Sequence, residues 1–225
     1  MSSRVVLEVY LRSRTLLSVG TGFRKGVLSP DVITVRDEIT GLPFIPGTTL
    51  KGVIRKIASQ IVPGSCMSVA TTGIEEPLTC GIELERGTRN ELCPVCRCFG
   101  TAHLPGYIIV EDAHVVDEQK ELLSKIAGHE VTYTHVSISR FLSTAERGKL
   151  WTSEYVPLGT LFKSRIICLD AESCLRMLLA SLYLLSYEHI GRAGNVKVEK
   201  IKVLEGREHV LREAASIGIT DILEV

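Results

Sequence analysis

Long uninterrupted hydrophobic segments are missing from this chain, although hydrophobic residues make up 45% of its 225 positions. The longest apolar run, residues 177–185, has about half the length that a transmembrane helix requires, so we expect no membrane partner. The first residues carry charges inside their apolar stretch and lack a cleavage site of small residues, which argues against a signal peptide. These absences predict a cytoplasmic protein.

Net charge is also lacking, since Lys and Arg total 26 and Asp and Glu total 26. A balance of zero disfavours a strongly basic protein that coats free nucleic acid unaided. The charges are unevenly spread, however, because residues 1–60 hold nine basic side chains against four acidic ones. This basic quarter is either an ordinary solvated face or a groove for a phosphate backbone, and charge alone does not choose between them.

Five of the seven cysteines lie within residues 64–105, a stretch with little hydrophobic periodicity. Without a signal peptide they do not indicate a disulfide framework, so we interpret the stretch as an irregular insertion held by metal. Two cysteines separated by two residues can bind one tetrahedral zinc ion as thiolates. The predicted ligands of one structural zinc ion per chain are Cys66, Cys80, Cys93 and Cys96. Cys98 or His103 could replace Cys66 as the fourth ligand.

The alternative to metal is that Cys93 and Cys96 form a redox pair or are merely a reduced cysteine pair. A thioredoxin-like pair requires the motif at the start of a helix in a βαβ unit, whereas this stretch is expected to be irregular, so metal is favoured. Cys168, in a predicted strand, and Cys174, on an apolar helix, are interpreted as plain core residues.

Hydrophobic periodicity predicts an α+β fold, and 225 residues suit one large domain or two small ones, of which the resemblance described below implies a single domain over residues 1–225. Alternating apolar residues predict a strand at residues 5–11, and helical spacing predicts a helix at residues 50–61 that Thr48 or Thr49 would cap. Further strands are predicted at residues 107–110, 161–169 and 196–204, further helices at 117–127, 171–187 and 208–216, and a long excursion or hairpin at 129–160. This order is typical of a ferredoxin-like (RRM-like) core sheet with large insertions.

Two segments have a local geometry that suits an anion. The turn before residue 48 brings backbone amides and Lys51 to a helix N-terminus, but a capped helix without a ligand has the same pattern. The loop at residues 191–194 has two glycines near Arg192 and Lys197, but such a loop is also typical of a helix end that leads into a strand.

Several stretches together resemble the RAMP superfamily of CRISPR systems. LPFIPGTTLKGVIR at residues 42–55 is similar to the family motif PxIPGSSLKGxxR, and CPVCRCFG at residues 93–100 is similar to CPVCRLFG. Residues 138–140 and 151–162 resemble later family stretches, and residues 189–199 resemble the family's Gly-rich loop and strand. Their order and the chain's size resemble the repeating backbone subunit of type III CRISPR interference complexes.

This resemblance implies a ferredoxin-like core and a thumb hairpin, which we place at residues 129–160, that interrupts the guide–target duplex. It implies that copies of the chain form a filament along a guide CRISPR RNA and meet target RNA and other effector subunits. Because guides differ in sequence, the contacts should be made mostly to phosphate and sugar. The candidate RNA contacts are Arg24, Lys25, Lys51, Arg55, Arg140, Arg192 and Lys197.

The resemblance also implies cleavage of the target RNA through one aspartate. The family pattern places this residue six positions before a second aspartate, and here Asp31 stands six positions before Asp37. The implied reaction is attack by the target's own 2′-hydroxyl on the adjacent phosphate. Asp31 would take the proton or hold Mg²⁺ or another divalent ion, which suits a lone carboxylate beside phosphate oxygens.

Three other functions are weighed against this one. A non-catalytic subunit would bind guide RNA only, and a repeat-processing endoribonuclease would cut precursor RNA without metal, usually through a catalytic histidine. A zinc-ribbon regulator of duplex DNA would need a recognition helix, but the strongly basic helix at residues 50–60 is expected to pack on a sheet.

Overall fold

The computed structural model describes residues 3–20, 33–63, 65, 92–101, 103–126, 131–138, 145–191 and 194–224. Its strands are β1 (Val5–Ser13), β2 (Phe44–Ile45), β3 (Ile108–Val110), β4 (Ala113–Val115), β5 (Val131–Ile138), β6 (Ala145–Tyr155), β7 (Leu161–Cys168), β8 (His189–Ile190), β9 (Gly194–Glu205) and β10 (Leu223–Glu224). Its helices are α1 (Gly47–Ile61), α2 (Pro94–Phe99), α3 (Asp117–Ile126), α4 (Ala171–Tyr183) and α5 (Arg207–Ile217), and a 3₁₀ turn (Leu184–Tyr187) follows α4. The predicted mixture of helices and strands is confirmed. None of the described helices has the length and apolar character needed to span a bilayer.

The centre of the fold is a mostly antiparallel sheet with the strand order β10-β9-β1-β7-β4-β2. Strand β1 pairs antiparallel with β7 on one edge and with β9 on the other. Strand β3 also pairs with β7, and β10 runs parallel to β9. The inward side chains of β1 are fully buried, as its alternating sequence predicts: Val5, Leu7, Val9 and Leu11.

Helices α1 and α4 pack together over one face of this sheet, and α5 packs on α4. The apolar stripe of α1 is buried as predicted through Leu50, Ile54 and Ile57, and each such side chain contributes about 1.5–3 kcal/mol. Helix α4 begins after Asp170, whose carboxylate accepts a hydrogen bond from the Ser173 amide at 3.2 Å. This cap confirms the predicted start of α4.

Two local predictions are wrong. Helix α1 begins at Gly47, and its N-cap is Pro46 rather than Thr48 or Thr49. The end of the cysteine-rich stretch is not irregular, because α2 begins directly after Cys93. This helix has six residues, which is too short for a hydrophobic period to appear in the sequence.

Strands β5 and β6 form a separate antiparallel ribbon between α3 and β7. Near its base Tyr155 is almost fully buried, and its ring meets that of Tyr133 edge-on with a centroid distance of 5.8 Å. The Tyr155 hydroxyl lies 3.0 Å from Nε2 of His135. These contacts join the two strands of the ribbon to each other through side chains as well as through the backbone.

Gly47 lies where α1 comes closest to the connection between β3 and β4. A Cβ atom at this position would lie 2.3 Å from the carbonyl oxygen of Val110 and 2.8 Å from the carbonyl carbon of Glu111. The Gly47 amide donates a hydrogen bond to Oδ1 of Asp112 at 2.7 Å. Only glycine permits this approach, which fixes the start of α1 against the sheet edge.

We therefore expect Gly47→Ala to lower the free energy of unfolding by roughly 1–3 kcal/mol, because backbone atoms must move to admit a methyl group. The matched control is Gly52→Ala in the same helix, where an added Cβ meets nothing within 4 Å. That control should raise the free energy of unfolding by up to about 1 kcal/mol through lower chain entropy. Urea unfolding of the full chain measures both, and equal stability of the two variants would contradict a tight junction at Gly47.

Candidate functional site

The N-terminus of α1 is one of the two places where the sequence suggested an anion site. The carboxylate of Asp112 already accepts a hydrogen bond from the Gly47 amide there. A carboxylate satisfies one of the helix's unpaired amides and interacts favourably with the positive end of its dipole. An incoming phosphate would meet this negative charge, so the chain's own side chain fills the local anion position.

Lys51 and Arg55 leave the same helix but lie in different environments. Lys51 lines a mainly apolar cleft of about 540 Å³ between α1 and residues 99–110. Burial, with a smaller effect of the nearby Arg55 charge, lowers the pKa of the Lys51 ammonium group. Arg55 instead donates from Nη2 to Sγ of Cys96 at 3.3 Å. Of these two predicted RNA contacts, Lys51 is the one that faces an open cleft.

Lys197 lies on β9 directly opposite Arg12 of β1, on the outer face of the sheet and near its border, where it also lines a pocket beside the end of α4. Cationic side chains of three neighbouring strands share this outer face: Arg12, Lys163, Arg165, Lys197, Lys200 and Lys202. Three of them are paired with acids, as Arg12–Glu199, Lys163–Glu8 and Lys200–Glu224. The other three make no ion pair within the described part of the chain, so the outer face has a net positive character.

Seven predicted site residues lie outside the described residues: Arg24, Lys25, Asp31, Cys66, Cys80, Arg140 and Arg192. The chain that directly follows Asp31 is described, from residue 33 onward. The contacts of these following residues therefore show where the chain after the predicted catalytic residue is held.

Glu154 anchors this segment to the base of the β5–β6 ribbon. Its side chain is 2% exposed, forms an ion pair with Arg36, and accepts a hydrogen bond from the Thr34 amide at 3.3 Å. The Thr34 hydroxyl donates to the Glu154 carbonyl oxygen at 3.1 Å. The sequence reasoning gave Glu154 no role, although it begins the stretch EYVPLGTLF that carried part of the resemblance. Its place at the start of that stretch was the signal that was available.

Asp37 holds a local turn. Its Oδ1 accepts hydrogen bonds from the Thr40 amide at 2.7 Å, the Thr40 hydroxyl at 2.8 Å and the Ile39 amide at 3.1 Å. These bonds, above all the one from the Thr40 amide, lower the pKa of the Asp37 carboxyl group. The second aspartate of the spaced pair thus has a structural role that explains its presence.

Cys93 and Cys96 lie at the start of α2, where the Cys96 amide donates to Sγ of Cys93 at 3.4 Å. The expectation that this motif lies in irregular chain is wrong. The irregular chain was the reason for favouring metal over a redox pair, so that reason no longer holds. Cys98 forms a disulfide with Cys174, so neither is a plain thiol and Cys98 is not available as a ligand in this state. No group of three potential metal ligands occurs among the residues that the structure describes.

Comparisons with known proteins agree on one family. The model of the RAMP superfamily matches residues 17–196. The CRISPR system Cms endoribonuclease Csm3 of Methanothermobacter thermautotrophicus is 28% identical over 200 residues, which cover 76% of this chain and 73% of that protein. A chain in the cryo-EM structure of the type III-B Cmr-beta bound to cognate target RNA has a TM-score of 0.60 at 13% identity, and the match covers 90% of this chain. The match spans 61% of that solved chain, and at this identity the likeness concerns the fold alone.

We expect Glu154→Gln to lower the free energy of unfolding by roughly 3 kcal/mol, because it removes the negative charge from the largely buried ion pair with Arg36. The control is Glu121→Gln, which breaks an exposed ion pair with Lys125 one helical turn away and should cost less than about 0.5 kcal/mol. Urea unfolding of both variants gives the comparison. A smaller loss for Glu154→Gln than for Glu121→Gln would show that the anchor contributes nothing.

Proposed function

This chain belongs to the RAMP superfamily, and on that premise we propose that it is a guide-RNA-binding backbone subunit of a type III CRISPR interference complex. The observation that carries the proposal is the match to a CRISPR endoribonuclease along 76% of the chain. The fold likeness to a chain of the Cmr-beta structure supports it independently of sequence. In this role the partners are guide RNA, target RNA, other effector subunits and further copies of the chain in a filament.

We further propose that the sheet contains a ferredoxin-like core. Its four strands would be β9, β1, β7 and the β3–β4 edge, in that spatial order, with α1 following β1 and α4 following β7. This arrangement of two strand–helix–strand units in an antiparallel sheet supports the assignment. The β5–β6 ribbon, inserted before β7, is the candidate thumb.

Guide recognition would be directed at the RNA backbone, since a subunit that serves many guides cannot depend on base identity. Lys51 is the best placed of the described candidates, because its ammonium group lines an open cleft and makes no ion pair within the described residues. Arg55 would act by holding Cys96 and α2 in place through its 3.3 Å contact.

Lys51→Ala should weaken binding of unrelated guide RNAs to a similar extent and reduce the slope of log affinity against log salt by about 1, because one fewer counterion is released. Lys56→Ala is the matched control, since Lys56 is one turn further along α1 and already pairs with Glu188 at 2.8 Å. Filter binding across a salt series measures both variants. An effect of Lys51→Ala on one guide sequence alone would contradict backbone recognition.

Target cleavage through Asp31 is the catalytic part of the proposal. The target's 2′-hydroxyl would attack the adjacent phosphorus while Asp31 takes its proton. The bond from phosphorus to the 5′-oxygen of the next nucleotide would break, which leaves a 2′,3′-cyclic phosphate, and that oxygen would leave with a proton from water. If Asp31 instead holds a divalent ion, water would take the 2′-hydroxyl proton and the ion's charge would offset the negative charge that develops on the phosphate. The anchoring of Thr34 and Arg36 by Glu154 supports this assignment, because it ties the chain after Asp31 to the base of the candidate thumb. A carboxylate must be held near the scissile phosphate to act on it.

Asp31→Asn should abolish target cleavage by the assembled complex while leaving guide and target affinity nearly unchanged, because a single acid adds little to binding an anion. Asp37→Asn is the control, since an asparagine can keep the turn that Asp37 holds, and it should cut at the wild-type rate. Gel assays with and without a chelator measure both. Cleavage by Asp31→Asn at the wild-type rate would refute the assignment, and a wild type that never cuts would favour the non-catalytic subunit. Cutting of precursor RNA by the isolated chain without metal would favour repeat processing.

We also propose one structural zinc ion per chain, held by Cys66, Cys80, Cys93 and Cys96. The described end supports the proposal, because Cys93 and Cys96 lie three positions apart at the start of α2, where Sγ of Cys93 accepts a hydrogen bond from the Cys96 amide at 3.4 Å.

Elemental analysis should find about one zinc per purified wild-type chain and far less in Cys93→Ser, because a tetrahedral site does not survive the loss of a thiolate. Cys168→Ser, at a buried strand position, should keep the metal. Absence of zinc from the wild type, or equal zinc in both variants, would refute the proposed ligand set.

A further inference from the structure

A pocket of about 390 Å³ lies between the end of α4, the end of β1 and the last turn of the described chain. Two tyrosines border it, Tyr183 and Tyr187, which stand four residues apart where α4 passes into the 3₁₀ turn. Tyr187 is 80% exposed and Tyr183 is 45% exposed. Aromatic residues make up only 5% of the sequence, so two exposed rings at one pocket require an explanation.

Two cations line the same pocket. Arg14 follows β1 and Lys197 projects from β9, and neither makes an ion pair within the described residues. One carboxylate is present, that of Asp221, which opposes a neighbouring phosphate but accepts a hydrogen bond from a hydroxyl or amino group. The pocket therefore combines ring faces, positive charge and one acceptor.

The walls of this pocket are joined by hydrogen bonds. The Arg14 amide donates to the Asn195 carbonyl at 2.8 Å, and the Asn195 side-chain amide donates to the Ser186 carbonyl at 2.6 Å. The strand end that carries Arg14 is thereby fixed relative to the turn that carries Tyr187. A pocket with fixed walls loses little entropy when a ligand enters.

We infer that this pocket binds one unstacked nucleotide of single-stranded RNA, with its base on Tyr187 and its phosphate at Arg14 and Lys197. The inference rests on the proposed function and deepens it, because Arg14, Tyr187 and Asp221 belong to none of the RNA contacts predicted above. Stacking on tyrosine tolerates any base, as a subunit that serves many guides requires, and duplex RNA would not offer a free base face. The Asp221 carboxylate suits the ribose 2′-hydroxyl or an exocyclic amine.

A protein partner is the less favoured occupant. The two cations would suit an acidic peptide, but exposed rings flanked by cations are the pattern of single-strand binding. The volume also matches one small ligand group rather than an extended segment.

The test uses the full chain and a fluorescein-labelled oligoadenylate in fluorescence anisotropy. Tyr187→Ala should weaken binding by about 5- to 150-fold, the range expected for one base stacked on an aromatic ring, whereas Tyr187→Phe should bind as the wild type does. Leu211→Ala removes an exposed apolar side chain from α5 and should change nothing. Lys197→Ala should weaken binding and lower the salt slope by about 1, whereas Lys202→Ala on the same strand should do so less.

The outcomes separate this inference from the proposed function. RNA binding by the wild type that is undiminished in Tyr187→Ala overturns the pocket but leaves the function standing. A wild type without affinity for oligoadenylate overturns both. The Tyr187→Ala variant could also bind RNA as the wild type does but fail to retain another CRISPR subunit in the assembled complex. That result would identify Tyr187 as a protein contact and would also overturn the inference.

Discussion

Hydrogen bonding along both edges of β1 is the interaction on which the rest of the structure depends. Because β7 and β9 both pair with this strand, its register decides which side chains of three strands face the helices and which face outward. Leu7 and Leu11 fill the core on one side, and Arg12 joins the cations of the outer face on the other. The same strand ends beside the tyrosine-lined pocket and delivers Arg14 to it. Core packing and the placement of charge are thus set together.

The long periodic elements could be predicted from the sequence, whereas of the short ones only β3 was expected, at residues 107–110. Strand β1 and helices α1 and α4 were expected close to their observed positions because each repeats its apolar period several times. Helix α2 and strands β2 and β8 are too short to show a period. The contacts of Asp112 with Gly47 and of Glu154 with Arg36 join residues 65 and 118 positions apart, and only the folded chain brings them together. The sequence therefore showed residue types that suit the candidate site, but it did not show which of these residues contact one another.

The stretch at residues 42–55 shows that one motif can combine several physical tasks. Gly47 permits the close approach of α1 to the sheet edge, Lys51 lines a cleft, and Arg55 contacts Cys96. The family motif contains all three residues and does not distinguish their roles. The distances in the folded chain assign a different role to each residue. The role of Asp37 illustrates the same point, since its spacing suggested chemistry and its hydrogen bonds show a turn.

The disulfide between Cys98 and Cys174 joins residues 76 positions apart and so closes a covalent ring. That ring contains α3, the β5–β6 ribbon and β7. A single peptide-bond cut in the ribbon would therefore leave one molecule, with both new ends still tied to the packed pair of α2 and α4. Proteolysis could cut the ribbon without separating the two parts of the sheet. The two fragments would separate only after a reductant had been added.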